Sequence, residues 1–288
     1  MSDASRPIDA QALLALAIEA ARTAGGLLLE RANHGFEREV ASKSTPTDLV
    51  SEADVSTQRA IRELLRERRP DDGFVGEEED ESEQGSSGLR WIVDPLDGTV
   101  NFLFGIPQWC VSVAVRDGVG TIAGAVFDAN RGELFSATRE SAARLDGPRG
   151  VVELGQSRGD DLVAERRTGE NAGPGGENLA SAMVATGLAY DSEVRRAQGR
   201  VLERLVPRVR DIRRFGSAAL DLTWTAAGRF DAYYERSVKH WDIAAGALIC
   251  ERAGLEIHEL EPYENLPWGI LVAPPALAAQ LLELVAGP

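Results

Sequence analysis

The stretch that most constrains this chain is Arg90–Thr99. Trp91-Ile92-Val93 is a short apolar run that reads as a buried strand, and it delivers the chain straight into Asp94-Pro95-Leu96-Asp97-Gly98-Thr99. One carboxylate ends the strand and a proline-stiffened turn places a second three residues later, so both can face one cavity. Gly98 and Thr99 open a helix whose free N–H groups suit an oxyanion such as phosphate. Two acids beside such a helix start would repel that ligand unless cations stand between them. Oxygen donors with little imidazole or thiolate nearby favour Mg²⁺ or Mn²⁺. The plainer reading is an Asp-Pro turn with Asp97 capping the next helix.

The flanking sequence supplies a framework of alternating elements. Apolar residues at helical spacing predict helices near Asp9–Ala32 and Glu52–Arg69, with Pro70-Asp71-Asp72-Gly73 stopping the second. A polar loop, Arg38 to Thr47, lies between them. Residues Trp109 to Thr138 read as a strand meander with strands at Cys110–Val115, Ile122–Phe127 and Glu133–Ala137. Gly155 to Glu177 is polar, Gly-rich and without period, and is expected to be a mobile segment. Beyond it, strands and helices alternate to the C-terminus. The expected class is α+β in layers, of mainly antiparallel strands. Residues 1–145 are expected to form an N-terminal α+β half carrying the metal-binding motifs. Residues 146–288 are expected to form a C-terminal α/β half, the two making one compact catalytic unit.

Three more acidic pieces compete with bland explanations. Glu77 starts an acidic run to Glu83 that as a whole reads as a solvated face, but Glu77 itself follows apolar Phe74-Val75 and Gly76 at a strand end. Asp54 stands three residues after Ser51, where a capping box explains it as well as a supporting role does. Asp242, in Lys239-His240-Trp241-Asp242, is an acid in a first helical turn, favoured there by the helix dipole.

Composition excludes several classes. The 288 residues are 43% hydrophobic, enough for a real core, so wholesale disorder is out. The 31 basic against 46 acidic residues leave a net charge of −15, which argues against general binding to nucleic acid or an anionic membrane. Lys43 and Lys239 are the only lysines, a bias that fits either a salt-adapted cytoplasm or a GC-rich genome. Cys110 and Cys250 make no disulfide framework, and with three histidines a dedicated zinc site is not expected. The Ala/Leu-rich stretch from Ala10 to Leu29 carries Glu19 and Arg22 and reads as a packed helix, and no secretory signal opens the chain. A soluble, cytoplasmic protein is expected.

Taken in order, Lys43–Asp54, Gly76-Glu77-Glu78, Trp91–Phe102, Gly216-Ser217-Ala218-Ala219, and Tyr233-Tyr234-Glu235 followed by Trp241-Asp242 resemble the inositol monophosphatase family. The resemblance spans roughly residues 10 to 275, and the Asp94–Phe102 block is its most specific part. It implies a layered α-β-α-β-α sandwich of the inositol monophosphatase / fructose-1,6-bisphosphatase type and Mg²⁺-dependent hydrolysis of a phosphomonoester. Carried over, Glu77, Asp94 and the Leu96 carbonyl look like ligands of a first Mg²⁺, and Asp94, Asp97 and Asp242 of a second. Glu77 would help hold a weak third, and Mn²⁺ would be able to substitute. Thr99, hydrogen-bonded to Asp54, is expected to orient and deprotonate the attacking water with Glu77. The Gly98 and Thr99 N–H groups would hold phosphate. Gly216, Ser217, Ala218 and Glu235 would line the alcohol half, helped by Asp97 and Asp242. Lys43 would lie in a mobile loop closing over the metals. Lithium sensitivity and a homodimer are further implications.

Within the family, Glu235 and the small Ala218 favour inositol 1-phosphate. Fructose 1,6-bisphosphate, histidinol phosphate and 3′-phosphoadenosine phosphates are the alternatives; the last would want a larger basic pocket, and Arg213 and Arg214 stand near Gly216. An aspartyl-phosphate enzyme would show Asp-x-Asp-Gly-Thr, whereas the spacing here is Asp-x-x-Asp-Gly-Thr. A non-catalytic protein on the same scaffold would have no need to keep every carboxylate.

Overall fold

The structure, a computed structural model, describes residues 8–34, 40–42, 49–78, 83–155 and 178–287. Its first half holds α1 (Ala10–His34), β1 (Val40–Ser42), β2 (Leu49–Ser51), α2 (Glu52–Arg68), β3 (Gly73–Gly76), β4 (Arg90–Asp97) and α3 (Thr99–Leu103). The meander follows as β5 (Cys110–Arg116), β6 (Thr121–Asp128), β7 (Glu133–Thr138), β8 (Arg144–Gly147) and β9 (Gly150–Glu153). The second half holds β10 (Met183–Thr186), α4 (Ser192–Leu205), β11 (Asp211–Arg213), α5 (Ala218–Ala226) and β12 (Ala232–Arg236). The chain closes with α6 (His240–Arg252), β13 (Glu256–Leu260), β14 (Gly269–Ala273) and α7 (Pro275–Val285).

The strands form a seven-stranded sheet ordered β3-β4-β5-β6-β7-β8-β9, a five-stranded sheet ordered β11-β10-β12-β14-β13, and the small β1–β2 pair. In the larger sheet only β3 and β4 run parallel. In the smaller one β10 is parallel to both its neighbours, while β14 is antiparallel to β12 and β13.

Both faces of the larger sheet are covered, and the side chains sort by the two-residue period of a strand. From β4 and β5, Trp91, Val93, Val111, Val113 and Val115 join the core beneath α1 and α2, whereas Ile92, Cys110 and Ala114 join the core shared with α5 and α6. The smaller sheet covers the other side of α5 and α6 and carries α4 and α7 on its far face. The layers therefore run α-β-α-β-α, the expected α+β sandwich. By length and composition α1 could cross a membrane, yet Ala17, Ala20, Ala21, Ala24 and Leu28 are fully buried in the core.

Three local readings change. The strand expected to stop at Val93 continues to Asp97. The stretch expected as a loop before Thr47 holds strand β1, paired with β2. The acidic run expected to face solvent sends Glu83 back to the protein, where it bridges to Phe74 and pairs with Arg62. Residues 79–82 lie outside the described residues, as do Lys43 and residues 156–177.

Candidate active site

The site is built first by strand register. Strands β3 and β4 are parallel with Gly76 opposite Val93, so Glu77 and Asp94 leave the sheet side by side. Gln58 on α2 sets the turn after β3. Its Oε1 accepts the Glu78 N–H at 2.9 Å, and it packs so closely on Gly76 that a side chain there would collide with it.

A bulge then brings the second acid round. Asp94 pairs with Ser112 and Asp97 with Cys110, so three steps on β4 match two on β5. In a regular strand, residues three apart face opposite ways; the extra residue restores Asp97 to the side of Asp94. Pro95, which has no N–H to give a ladder, is tolerated inside the bulge. Asp94 Oδ1 accepts the Leu96 N–H at 3.0 Å. Gly98, at φ 100°, takes a left-handed conformation that suits glycine and turns the chain into α3. Thr99 Oγ1 donates to Asp54 Oδ1 at 2.9 Å and lies 3.1 Å from the Leu96 carbonyl.

Asp97 does not cap α3. Its Oδ2 accepts from Ser217 Oγ at 2.7 Å and from the Ala219 N–H at 2.7 Å, and Oδ1 accepts from the Ala218 N–H at 3.2 Å. It is thus bound to the first turn of α5, 120 residues further on. Ser217 is buried by that bond and does not line the cavity, unlike Gly216 and Ala218 on either side. Asn101 strengthens the junction, donating to the carbonyls of Gln108 and Phe215 at 2.7 Å each. Asp242 sits in the first turn of α6, where its Oδ2 accepts the Lys239 N–H at 2.6 Å. Glu235 arrives on β12 and accepts from the Tyr233 hydroxyl at 3.0 Å.

Glu77, Asp94, Leu96, Asp97, Gly98, Thr99, Gly216, Ala218, Glu235 and Asp242 line one cavity of about 250 Å³. Asp54 lies behind it, fully buried, in contact through Thr99.

The electrostatics are those of crowded, dehydrated acids. Burial pushes Asp94 well above the usual carboxylate range, and Glu77, Asp97 and Asp242 push it further. Burial raises Asp242 likewise, with Glu77 adding. Asp97 is pushed up to about 6 by burial, against the restraining bonds from Ser217 and Ala219. Each acid would ionise readily beside a cation, and every donor is a hard oxygen, so the residues fit Mg²⁺ or Mn²⁺. Among the described residues no three acids, histidines or cysteines stand as a ready-made cage. The case for a cation is therefore one of charge and donor chemistry.

Glu235 is pushed up to about 7, chiefly by burial, with Asp97 raising it and the Tyr233 bond and Arg214 restraining it. Among the described residues Asp221 on α5 has no hydrogen bond to either carboxylate oxygen, and burial holds it far above its ordinary range. Sequence reasoning passed over Asp221, Gln58 and Asn101. Only Asp221 left a trace, as a lone acid between Leu220 and Leu222 in an otherwise apolar helix.

The model of the inositol monophosphatase family matches residues 9–286. The chain belongs to the inositol monophosphatase family. Membership makes it a phosphoric monoester hydrolase. It is 40% identical over 259 residues to the inositol-1-monophosphatase SuhB of Mycobacterium tuberculosis, covering 88% of this chain and 83% of that protein. It is 36% identical over 243 residues to a Pasteurella multocida protein named Nus factor SuhB, covering 84% and 83%. The solved structure of Mycobacterium tuberculosis SuhB superposes with a TM-score of 0.76 at 34% identity, over 96% of each chain. The hydrolase therefore shares its layered fold with a relative across nearly its whole length.

Proposed function

We propose that this chain is a Mg²⁺-dependent phosphomonoesterase of small polyol or sugar phosphates, with inositol 1-phosphate the first substrate to test. The observation that carries the reading is that Glu77, Asp94, Asp97, Asp242, Thr99, Gly216, Ala218 and Glu235 line one cavity together. Glu77, Asp94, the Leu96 carbonyl, Asp97 and Asp242 would hold two or three divalent ions, Mn²⁺ being an acceptable substitute. When bound, such ions neutralise the phosphoryl oxygens and acidify a water.

The protein's own groups do the rest. Thr99 directs its proton at Asp54, which leaves its oxygen lone pairs to accept from an attacking water. Glu77 lines the same cavity and would take that water's second proton. The Gly98 and Thr99 N–H groups would steady the phosphate, so that positioning and charge carry a loose in-line transfer. Glu235 and Ala218 would meet the alcohol. Ser217 contributes through Asp97 in this reading.

Li⁺ inhibition, a homodimer and a cytoplasmic location belong to the same reading and are supported by the family resemblance. A net charge of −15 opposes general binding of nucleic acid, so the Nus-factor name of the Pasteurella relative leaves the reading unchanged. The deciding experiment is phosphate release from a panel of phosphomonoesters with and without Mg²⁺, at low and high KCl. Absence of Mg²⁺-dependent release from every member, inositol 1-phosphate included, would refute it.

A further inference from the structure

Beside Glu235 the cavity carries a cation that no hydrogen bond or ion pair engages among the described residues. Three basic side chains line the cavity: Arg214, Arg236 and Lys239. Arg236 is committed to the fold, donating to the carbonyls of Leu260, Glu261, Pro267, Val285 and Ala286. Lys239 precedes α6, three residues before Asp242, whose Oδ2 accepts its N–H. Arg213 pairs with Asp211 and donates to the Ile212 carbonyl.

Arg214 differs from all of these. It is exposed, sits between β11 and Gly216, and among the described residues has no hydrogen bond or ion pair. Its charge reaches Glu235 and Asp221, yet neither accepts from it. Glu235 is bonded to Tyr233, and both Asp221 oxygens stay unpartnered among the described residues. Gly216 makes room for the guanidinium, since a Cβ there would lie 2.7 Å from Nη1. A planar group with five donors, open to the cavity and unclaimed by adjacent acids, matches a phosphate brought by the ligand.

We propose that Arg214 is a specificity residue that binds a second phosphate on the alcohol half of the substrate, so that the enzyme prefers a sugar or cyclitol bisphosphate to the matching monophosphate. This rests on the phosphomonoesterase reading above. A bidentate, charge-assisted contact is the kind of interaction that separates two such substrates by about ten- to a hundredfold.

The test compares kcat/KM for fructose 1,6-bisphosphate and fructose 1-phosphate in wild type, Arg214→Gln and Arg214→Lys, with calorimetric binding of the same pair. Wild type should prefer the bisphosphate. Arg214→Gln should lose that preference by about ten- to a hundredfold, mainly in KM, and Arg214→Lys should keep part of it. A preference unchanged within about twofold, or equal losses on both sugars, overturns the assignment. Turnover without any preference defeats this site and keeps the phosphatase. Arg214-dependent preference in binding with no turnover defeats the phosphatase reading and keeps the site.

Discussion

Gly187 gives the sharpest handle on Glu235. It follows β10, whose Thr186 pairs with Tyr234, so the chain at Gly187 runs directly beside Glu235. A Cβ at this position would fall within the space of the Glu235 carboxylate, which would have to retreat about 1.5 Å to regain ordinary contact. Backbone is not the obstacle, and the displaced atoms are the far end of a flexible side chain. The Gly187→Ala protein should therefore fold while losing the Tyr233–Glu235 bond, at about 1 kcal/mol. If Glu235 accepts from a substrate hydroxyl, losing that charged bond should lower kcat/KM roughly ten- to a hundredfold, largely through KM. The assay is a cycle of Gly187→Ala, Glu235→Ala and the double variant. With the carboxylate gone the methyl has nothing to strike, so the double variant should be no worse than Glu235→Ala. Losses that multiply, or a Gly187→Ala protein within about twofold of wild type, would refute the reasoning.

Other consequences concern charge. Asp97, Glu235, Asp94 and Asp242 all hold protons more tightly in the native state than carboxylates ordinarily do. The stabilising contribution of Asp97 and Glu235 is thus complete below about pH 4 and is lost as pH rises through about 6 to 7, and Asp94 and Asp242 act in the same direction. The chelated protein should melt at a lower temperature at pH 8 than at pH 5, Mg²⁺ should narrow the gap, and Glu235→Gln should flatten part of it; a higher melting temperature at pH 8 without metal contradicts the sign. Asp94→Asn should abolish nearly all activity with the fold retained, and near-normal turnover would remove Asp94 from the mechanism. Arg236→Met strands five backbone carbonyls and should cost on the order of 3 kcal/mol in urea denaturation; a change below about 1 kcal/mol would show that water replaces the guanidinium.

What the sequence disclosed was local. The apolar run into Asp94, the glycine before Glu77 and the acid in the first turn of α6 each betray themselves by their neighbours, and the cavity does gather them. The bulge is another matter. A spacing of three between Asp94 and Asp97 says nothing of which way either faces until the pairing with Cys110 and Ser112 is known. Long-range partners were equally hidden. Ser217 looked like a wall of the alcohol pocket by its motif, but it turns inward to Asp97, while Gln58 owes its importance to a backbone N–H 20 residues away and Gly187 to a side chain 48 residues away. Where the interaction partner lies in another layer, composition and period carry no trace of it.

The grip of Asp97 on α5 makes the residue proposed as a cation ligand a clasp as well. The carboxylate rides on the larger sheet, whereas its three donors belong to the helix pair backed by the smaller one. Any shear between the halves would pull this group off its donors. Conversely, withdrawing charge from the cavity would loosen the joint. In that proposal chemistry and cohesion are soldered at one carboxylate, so selection acting on either would be felt by both.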